Sequence, residues 1–303
     1  YPQRNDLRDT VLFGDCRETL PQFTTKAQMC VTSPPYYGLR DYGGEDSQIG
    51  QEQSPEEFIE ELVKVFREVR NVLTDDGTCW VNLGDSYYNY RKDGCIPKQT
   101  FSKNRQDLPE TTPRRSNKLK GLKEKDLIGI PWMFAFAMRA DGWHLRQDII
   151  WHKPNPMPES VKDRCTKAHE YIFLLSKSKK YFYDNEAIKE PAKDWGTRNR
   201  TKGKYHNPGT GLQPHSGLTK SYERKNKRSV WSVTVKPYKG AHFATYPEEL
   251  VEPCILAGSE KGDIILDPFM GSGTTAMVAK KNSRSYLGCE LREEYASLQT
   301  ARI

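Results

Sequence analysis

An α/β fold with a mostly parallel, doubly wound sheet is predicted by three features of the sequence. Short apolar runs alternate with helical segments along the chain, the pattern of a parallel sheet covered on both faces. The stretch "DIILDPFMGSGTTA" at residues 263–276 runs from a buried strand through a glycine turn into a helix. And 303 residues suffice for one large α/β domain with a sizeable core.

The elements follow in order. "TVLFGD" and "QMCVTS" read as short buried strands ending at Asp15 and Ser33. Residues 55–73 are predicted as an amphipathic helix: Ser54 and Glu57 form a capping box, Pro55 suits the first helical position, and Gly77 follows the end. Its apolar stripe runs through Phe58, Leu62, Val65 or Phe66, Val69 and Leu73. "GTCWVNLGD" is the next strand, and Pro131 to Ala140 a second buried helix before Gly142. "HLRQDIIWHK", "EYIFLLSKS" and "KYFYD" read as strands, the last two as a hairpin. A helix from Pro247 to Ala257, the strand "GDIILD", the helix "TTAMVAKK", the strand "SYLGCEL" and a helical tail complete the chain, without internal repeats.

Composition narrows the function. The seven cysteines are scattered and contain no C-x-x-C pair, so neither a disulfide framework nor a zinc site is expected and a reducing, intracellular setting fits. No apolar run approaches the roughly 20 residues of a membrane span, and no secretory signal is visible. The chain starts at Tyr1 without a methionine, as expected of a piece of a longer natural chain. The net charge is +7, but it is unevenly placed. Residues 91–126 hold 11 Lys/Arg against 5 Asp/Glu, and residues 189–228 hold 11 against 3, leaving the rest of the chain at −7. Two basic segments poor in apolar periodicity, attached to a mildly acidic body, are expected of long loops reaching a polyanion; solvated surface charge is the plainer alternative.

The glycine turn carries the first chemical signal. Gly271-Ser272-Gly273-Thr274-Thr275-Ala276 satisfies G-x-G-x-x-A, and glycines there let the backbone approach a ligand. Glu290, at the end of the next strand, can accept hydrogen bonds from a ribose diol. This pattern alone fits a nicotinamide dinucleotide, another nucleoside cofactor, or a glycine pair that merely packs a helix on a strand. No Lys follows the second glycine, which argues against a P-loop. Asp267 before the turn would attract an ammonium and repel a pyrophosphate, and only about 30 residues follow Gly273, too few for a nucleotide fold that begins there.

The second signal is "TSPPYY" at residues 32–37. It resembles the S-P-P-[YF] catalytic motif of the DNA amino-methyltransferases, which methylate the exocyclic amine of cytosine (N4) or adenine (N6), and "DPFMGSGTT" resembles that family's cofactor motif. The catalytic motif comes first, the permuted order of the beta class. "GDC" at 14–16, "HLRQDIIWHKPNPMPES", "RCTKAHEYIFLLSKSKKYFYD" and "HFATYPEEL" are similar to further family segments, so the likeness covers nearly the whole chain outside the two basic segments. It implies a single catalytic domain over 1–303 with a Rossmann-like, circularly permuted, S-adenosylmethionine-dependent methyltransferase fold. Within it, 91–126 would be a basic loop insertion, 185–235 a target-recognition region and 236–303 the cofactor-binding part.

The resemblance also implies roles. Asp267, Phe269, Gly271, Ser272, Gly273 and Thr274 are assigned to the methionine end of S-adenosyl-L-methionine and Glu290 to its ribose. Asp15 and the Cys16 backbone are assigned to its adenine, and His242, Phe243, Ala244 and Thr245 to its carboxylate. Ser33 Oγ and the Pro34 carbonyl would accept the two N–H bonds of the target amine, freeing its delocalised lone pair. Pro34 and Pro35 would restrict the backbone that presents them, and Tyr36 would stack on the flipped base. Duplex DNA is the implied partner, with Arg40, Arg198, Arg200, Lys202 and Arg224 as candidate phosphate or guanine contacts and Trp195 and Tyr205 as stacking or core residues. No metal is expected. Ser at the first motif position is typical of N4-cytosine enzymes, while Asp or Asn is typical of N6-adenine enzymes. Ser33 therefore favours cytosine, with N6-adenine as the runner-up. A permuted nicotinamide-dependent oxidoreductase and a DNA-binding module without catalysis are the readings from other classes; an RNA or protein amine substrate is disfavoured by the basic segments.

Overall fold

The computed structural model describes residues 7–38, 48–88, 95–97, 111–113, 119–192, 223–235 and 246–303. In chain order the elements are β1 (Thr10–Phe13), α1 (Cys16–Thr19), β2 (Ala27–Thr32), α2 (Pro55–Val72), β3 (Leu73–Leu83), β4 (Cys95–Pro97), β5 (Thr111–Pro113), α3 (Ile130–Ala140), β6 (His144–His152) and β7 (His169–Ser176). They continue with β8 (Glu190–Pro191), β9 (Arg224–Lys225), β10 (Val230–Ser232), α4 (Glu248–Gly258), β11 (Ile264–Asp267), α5 (Thr274–Lys281), β12 (Ser285–Glu290) and α6 (Ala296–Arg302).

Eight strands form one sheet in the order β1-β12-β11-β2-β3-β7-β6-β10. Only β7 runs against its neighbours, so the sheet is mostly parallel, as expected. Strand alternation divides the apolar side chains between two cores. Cys30, Cys79, Val81, Phe173 and Leu266 meet α2 and α3 on one face, while Met29, Val31, Trp80, Leu174 and Ile265 meet α4 and α5 on the other. Helices on both faces make the sheet doubly wound. The α2 stripe is fully enclosed at Phe58, Leu62, Val65, Phe66 and Val69, each worth about 2 kcal/mol of burial.

Local expectations hold with some corrections. Ser54 caps α2 by accepting from Glu57 N at 3.2 Å, but Glu57 reaches back to the amide of Gln53 at 3.1 Å rather than to Ser54. No glycine stops the helix. Leu73 turns extended and starts β3 directly, and Gly77 lies within that strand. "KYFYD" is not a strand and forms no hairpin with β7, whose partners are β3 and β6. Phe182 and Asp184 instead donate single backbone bonds to Asp76 and Ala257, fastening the segment across the sheet end. The basic segments are not wholly irregular, since β4 pairs with β5 and β8 with β9, and just past the second segment β10 extends the main sheet. Residues 91–94, 98–110, 114–118 and 193–222, which include Trp195, Arg198, Arg200, Lys202 and Tyr205, lie outside the described residues. So do Arg40 and His242 to Thr245. No helix among the described residues is long and apolar enough to cross a membrane.

The connections place the site. From β11 the chain moves outward to β12, and from β2 it moves the opposite way to β3. The two central strands therefore flank a topological switch point, where α/β sheets open a crevice beyond their carboxyl ends.

Candidate active site

At that crevice the two sequence signals meet. Thr32, the last residue of β2, donates from Oγ1 to Asp267 Oδ1 at 2.6 Å, and both residues are fully buried. Ser33 and the glycine turn thus share one rim although 234 residues separate Ser33 from Asp267.

On the β2 side the Ser-Pro-Pro-Tyr corner leads into a network of side chains. Ser33 Oγ donates to Asn82 Oδ1 at 3.3 Å. Asn82 Nδ2 donates to Glu170 Oε2 at 3.2 Å and to the Tyr171 carbonyl at 3.1 Å. Tyr36 donates its hydroxyl proton to the same Glu170 oxygen at 2.6 Å. Lys153 pairs with Glu170 Oε1. Burial and then the Glu170 charge push the Tyr36 phenol well above its usual range, so it stays a neutral donor. A Cβ on Gly84 would stand 2.9 Å from the Tyr36 ring; the ring lies where only glycine leaves room.

On the β11 side the turn is held mostly through its backbone. Gly271 and Gly273 have φ of 52° and 84°, the left-handed region that glycine enters freely. Asp267 is enclosed by four donors: Thr32 and the Phe269 amide (3.0 Å) on Oδ1, Thr275 (2.5 Å) and Tyr246 (3.3 Å) on Oδ2. Burial raises its carboxyl above the ordinary value, and those hydrogen bonds oppose the rise. Glu290 Oε2 accepts from Gly271 N at 2.7 Å and Oε1 from Arg292 N at 3.1 Å, with burial again raising its carboxyl. From α6, Gln299 donates to the Gly271 carbonyl at 2.7 Å and Arg302 to Ser272 Oγ at 2.6 Å and Thr274 Oγ1 at 3.2 Å.

Asp15 stands beyond β1, the neighbour of β12. Its carboxylate caps α1 by accepting from Arg17 N at 2.8 Å and pairs with the Arg17 guanidinium, which also meets Glu61. Cys16 is buried beside it, and its thiol is pushed far up by burial, so it stays inert. Arg224 is exposed and donates to the Lys189 carbonyl at 2.9 Å, within its own segment. Among the described residues no group of three or more His, Cys, Asp or Glu is placed to hold a metal ion.

Sequence reasoning missed Asn82, Glu170, Lys153, Tyr246, Gln299 and Arg302. Lys153, Glu170 and Tyr246 lie in segments already noted for their likeness, "IIWHKPNP", "AHEYIF" and "HFATYPEEL", yet nothing local in them signals a contact with Tyr36 or Asp267.

A nucleoside cofactor fits the β11 side. A Cβ on Gly271 would find no neighbour nearer than 3.9 Å, leaving room beside the turn, and a carboxylate stands at the end of the next strand. Solved structures share the fold: the cytosine-N4-specific PvuII DNA methyltransferase at a TM-score of 0.63 (19% identity, 97% of this chain and 86% of that one) and the M1.HpyAVI–SAM complex at 0.57 (17% identity, 97% and 98%). In sequence the chain is 46% identical to the Type II methyltransferase M.SmaI of Serratia marcescens over 97% of this chain and 90% of the relative. It is 45% identical to the Type II methyltransferase M.Cfr9I of Citrobacter freundii over 98% and 89%. The family model described as DNA methylase, for N6 and N4 methyltransferases, matches residues 27–301, and the chain belongs to that family.

Proposed function

We propose that this DNA methylase transfers a methyl group from S-adenosyl-L-methionine to the exocyclic N4 amine of a cytosine flipped out of duplex DNA. The contact between Thr32 and Asp267 carries the reading, because it sets the Ser-Pro-Pro-Tyr corner against the glycine turn in one crevice. When bound, the cofactor supplies an electrophilic methyl group on a sulfonium. The glycine turn, with Phe269, Ser272 and Thr274, receives its methionine end, Asp267 lends negative charge at the strand end, and Glu290 takes the ribose hydroxyls. Asp15 and Cys16 flank the adenine side, and His242 to Thr245 complete the methionine end.

At the base, Ser33 Oγ and the Pro34 carbonyl accept the two N–H bonds of the amine. This draws the nitrogen toward a pyramidal shape and makes its lone pair available for in-line attack. The N–C bond forms as the S–C bond breaks, and the amine, acidic only then, loses a proton to solvent. No strong base is required, and Ser33 remains an acceptor rather than a covalent nucleophile. Pro34 and Pro35 keep the corner rigid, so little reorganisation accompanies the reaction. Tyr36 supplies a stacking face, a contact worth ~1–3 kcal/mol per base.

The whole chain acts as one catalytic domain. The segments at 91–126 and 185–235, with Arg40, Arg198, Arg200, Lys202 and Arg224, grip the duplex and read the target, as in a restriction–modification methylase. Ser33 in the first motif position supports cytosine over adenine. Digesting methylated DNA to nucleosides and weighing them tests this. N4-methyldeoxycytidine is expected; N6-methyldeoxyadenosine alone would refute the cytosine assignment.

A further inference from the structure

Hydrogen-bond polarity at the Ser33 corner is dictated from outside it. A carboxylate can only accept, and Glu170 takes Lys153 on one oxygen and both Tyr36 and Asn82 on the other. The Tyr171 carbonyl is a second acceptor on the Asn82 amide, 3.1 Å from Nδ2. With two acceptors on one side, the NH2 of Asn82 must face them, which turns its Oδ1 toward Ser33. Ser33 owns one hydroxyl hydrogen. Among the described residues its two side-chain partners, Asn82 Oδ1 and the Tyr36 oxygen that has committed its own proton to Glu170, can only accept it. Its hydrogen therefore points inward, and its lone pairs are what remain for a ligand.

We propose that Glu170 is a positioning residue that, through Asn82 and Tyr36, makes Ser33 a pure acceptor, so that the crevice takes a base bearing an amine and rejects one bearing a carbonyl in its place. The inference rests on the functional reading above. Cytosine offers N–H donors at C4 where uracil offers an oxygen; a uracil oxygen would face the Ser33 lone pairs, acceptor against acceptor. Lys153 holds the far end of the chain and keeps Glu170 from turning its second oxygen into the network.

The test uses the full chain loaded with S-adenosylhomocysteine and duplexes whose modified position, located by sequencing, carries cytosine or uracil. Each base is set opposite an abasic site so that extrusion costs the same. If the modified base is adenine, the pair becomes adenine and hypoxanthine. The wild type is expected to bind the amine base about tenfold or more tightly than the carbonyl base. In Glu170→Gln the carbonyl stays on Lys153 and the N–H faces Tyr36 and Asn82, so only the Tyr171 carbonyl still orients Asn82, the Tyr36 proton is freed to go to Ser33, and Ser33 can donate outward. The preference then falls to about twofold or less, the kcat falls, S-adenosylhomocysteine affinity stays unchanged, and Glu170→Asp restores part of the preference. Asn82→Leu, which removes one of the two inward acceptors and leaves the Tyr36 oxygen, should lower the same preference in part. A wild type without the preference, or folded variants that keep it, would overturn the proposal. A wild type that methylates no DNA would instead refute the functional reading itself, so the two failures are distinguishable.

Discussion

The two sides of the crevice hold their polar groups by different means. On the β11–β12 side, Glu290 is bound by the amides of Gly271 and Arg292, and α6 grips the turn at the Gly271 carbonyl, Ser272 and Thr274. On the β2–β3 side, Ser33, Tyr36, Asn82, Lys153 and Glu170 come from four parts of the sheet and connect almost entirely through side chains. A turn bound through its backbone is set by the φ/ψ of a short motif and tolerates changes in neighbouring side chains. A side-chain chain depends on every member and on the packing that brings the members together. The β11–β12 side should therefore be broken by changes in backbone conformation, and the β2–β3 side by changes in side-chain polarity or position.

The largest effect is expected where the sides join. Asp267→Ala would strip the acceptor from the hydroxyls of Thr32, Thr275 and Tyr246 and from the Phe269 amide, all around one buried site. A loss of about 3–5 kcal/mol is expected, read as a drop in the urea midpoint. A loss under about 1 kcal/mol would mean that the shared contact does not hold the sides together.

Two glycine substitutions should separate the halves. Gly84→Ala sets a methyl against the Tyr36 ring and should lower the kcat about tenfold while S-adenosylmethionine affinity stays within about twofold. Gly273→Ala forces a left-handed φ on a residue with a Cβ and crowds Ile303 at 3.0 Å, at about 1–2 kcal/mol. It should weaken cofactor affinity about tenfold, with single-turnover methyl transfer at saturating cofactor nearly intact. Exchange of the two phenotypes would contradict the division.

How much of this was legible follows from the same contrast. The glycine turn could be read because "DPFMGSGTT" states its backbone requirements within nine residues. The Ser-Pro-Pro-Tyr corner was legible for the same reason, since prolines declare a fixed backbone. The Glu170–Asn82–Tyr36 network was not, because its contacts span 88 and 134 residues and depend on an antiparallel β7 placed beside β3. Strand identity followed from apolar runs, but "KYFYD" carries strand-like aromatics that serve to close the sheet end. Strand β10 was missed because its three residues follow directly on a basic segment with no period to read.

The smallest expected effect concerns Asp15. Burial alone would raise the carboxyls of Asp15 and Glu61. The bonds from Arg17 to Asp15, and from Lys64 and Arg17 to Glu61, outweigh it and hold both below their ordinary values of 3.8 and 4.5. The unfolded chain therefore binds more protons than the folded one as the pH falls through 4.5 and below, so this contribution to stability is present above ~pH 5 and lost on acidification. Arg17→Met should narrow the stability difference from the wild type steadily over that acid range, measured by urea unfolding at several pH values. A difference independent of pH would remove the ion pair from the account.

Single-turnover transfer of labelled methyl from S-adenosylmethionine to duplex DNA, comparing the wild type with Ser33→Ala, tests the central claim most directly. Loss of one preorganised acceptor at the reacting nitrogen should slow transfer about 10²-fold with cofactor affinity unchanged. Transfer at the wild-type rate by the folded variant would mean that the base reacts somewhere other than the Ser-Pro-Pro-Tyr corner.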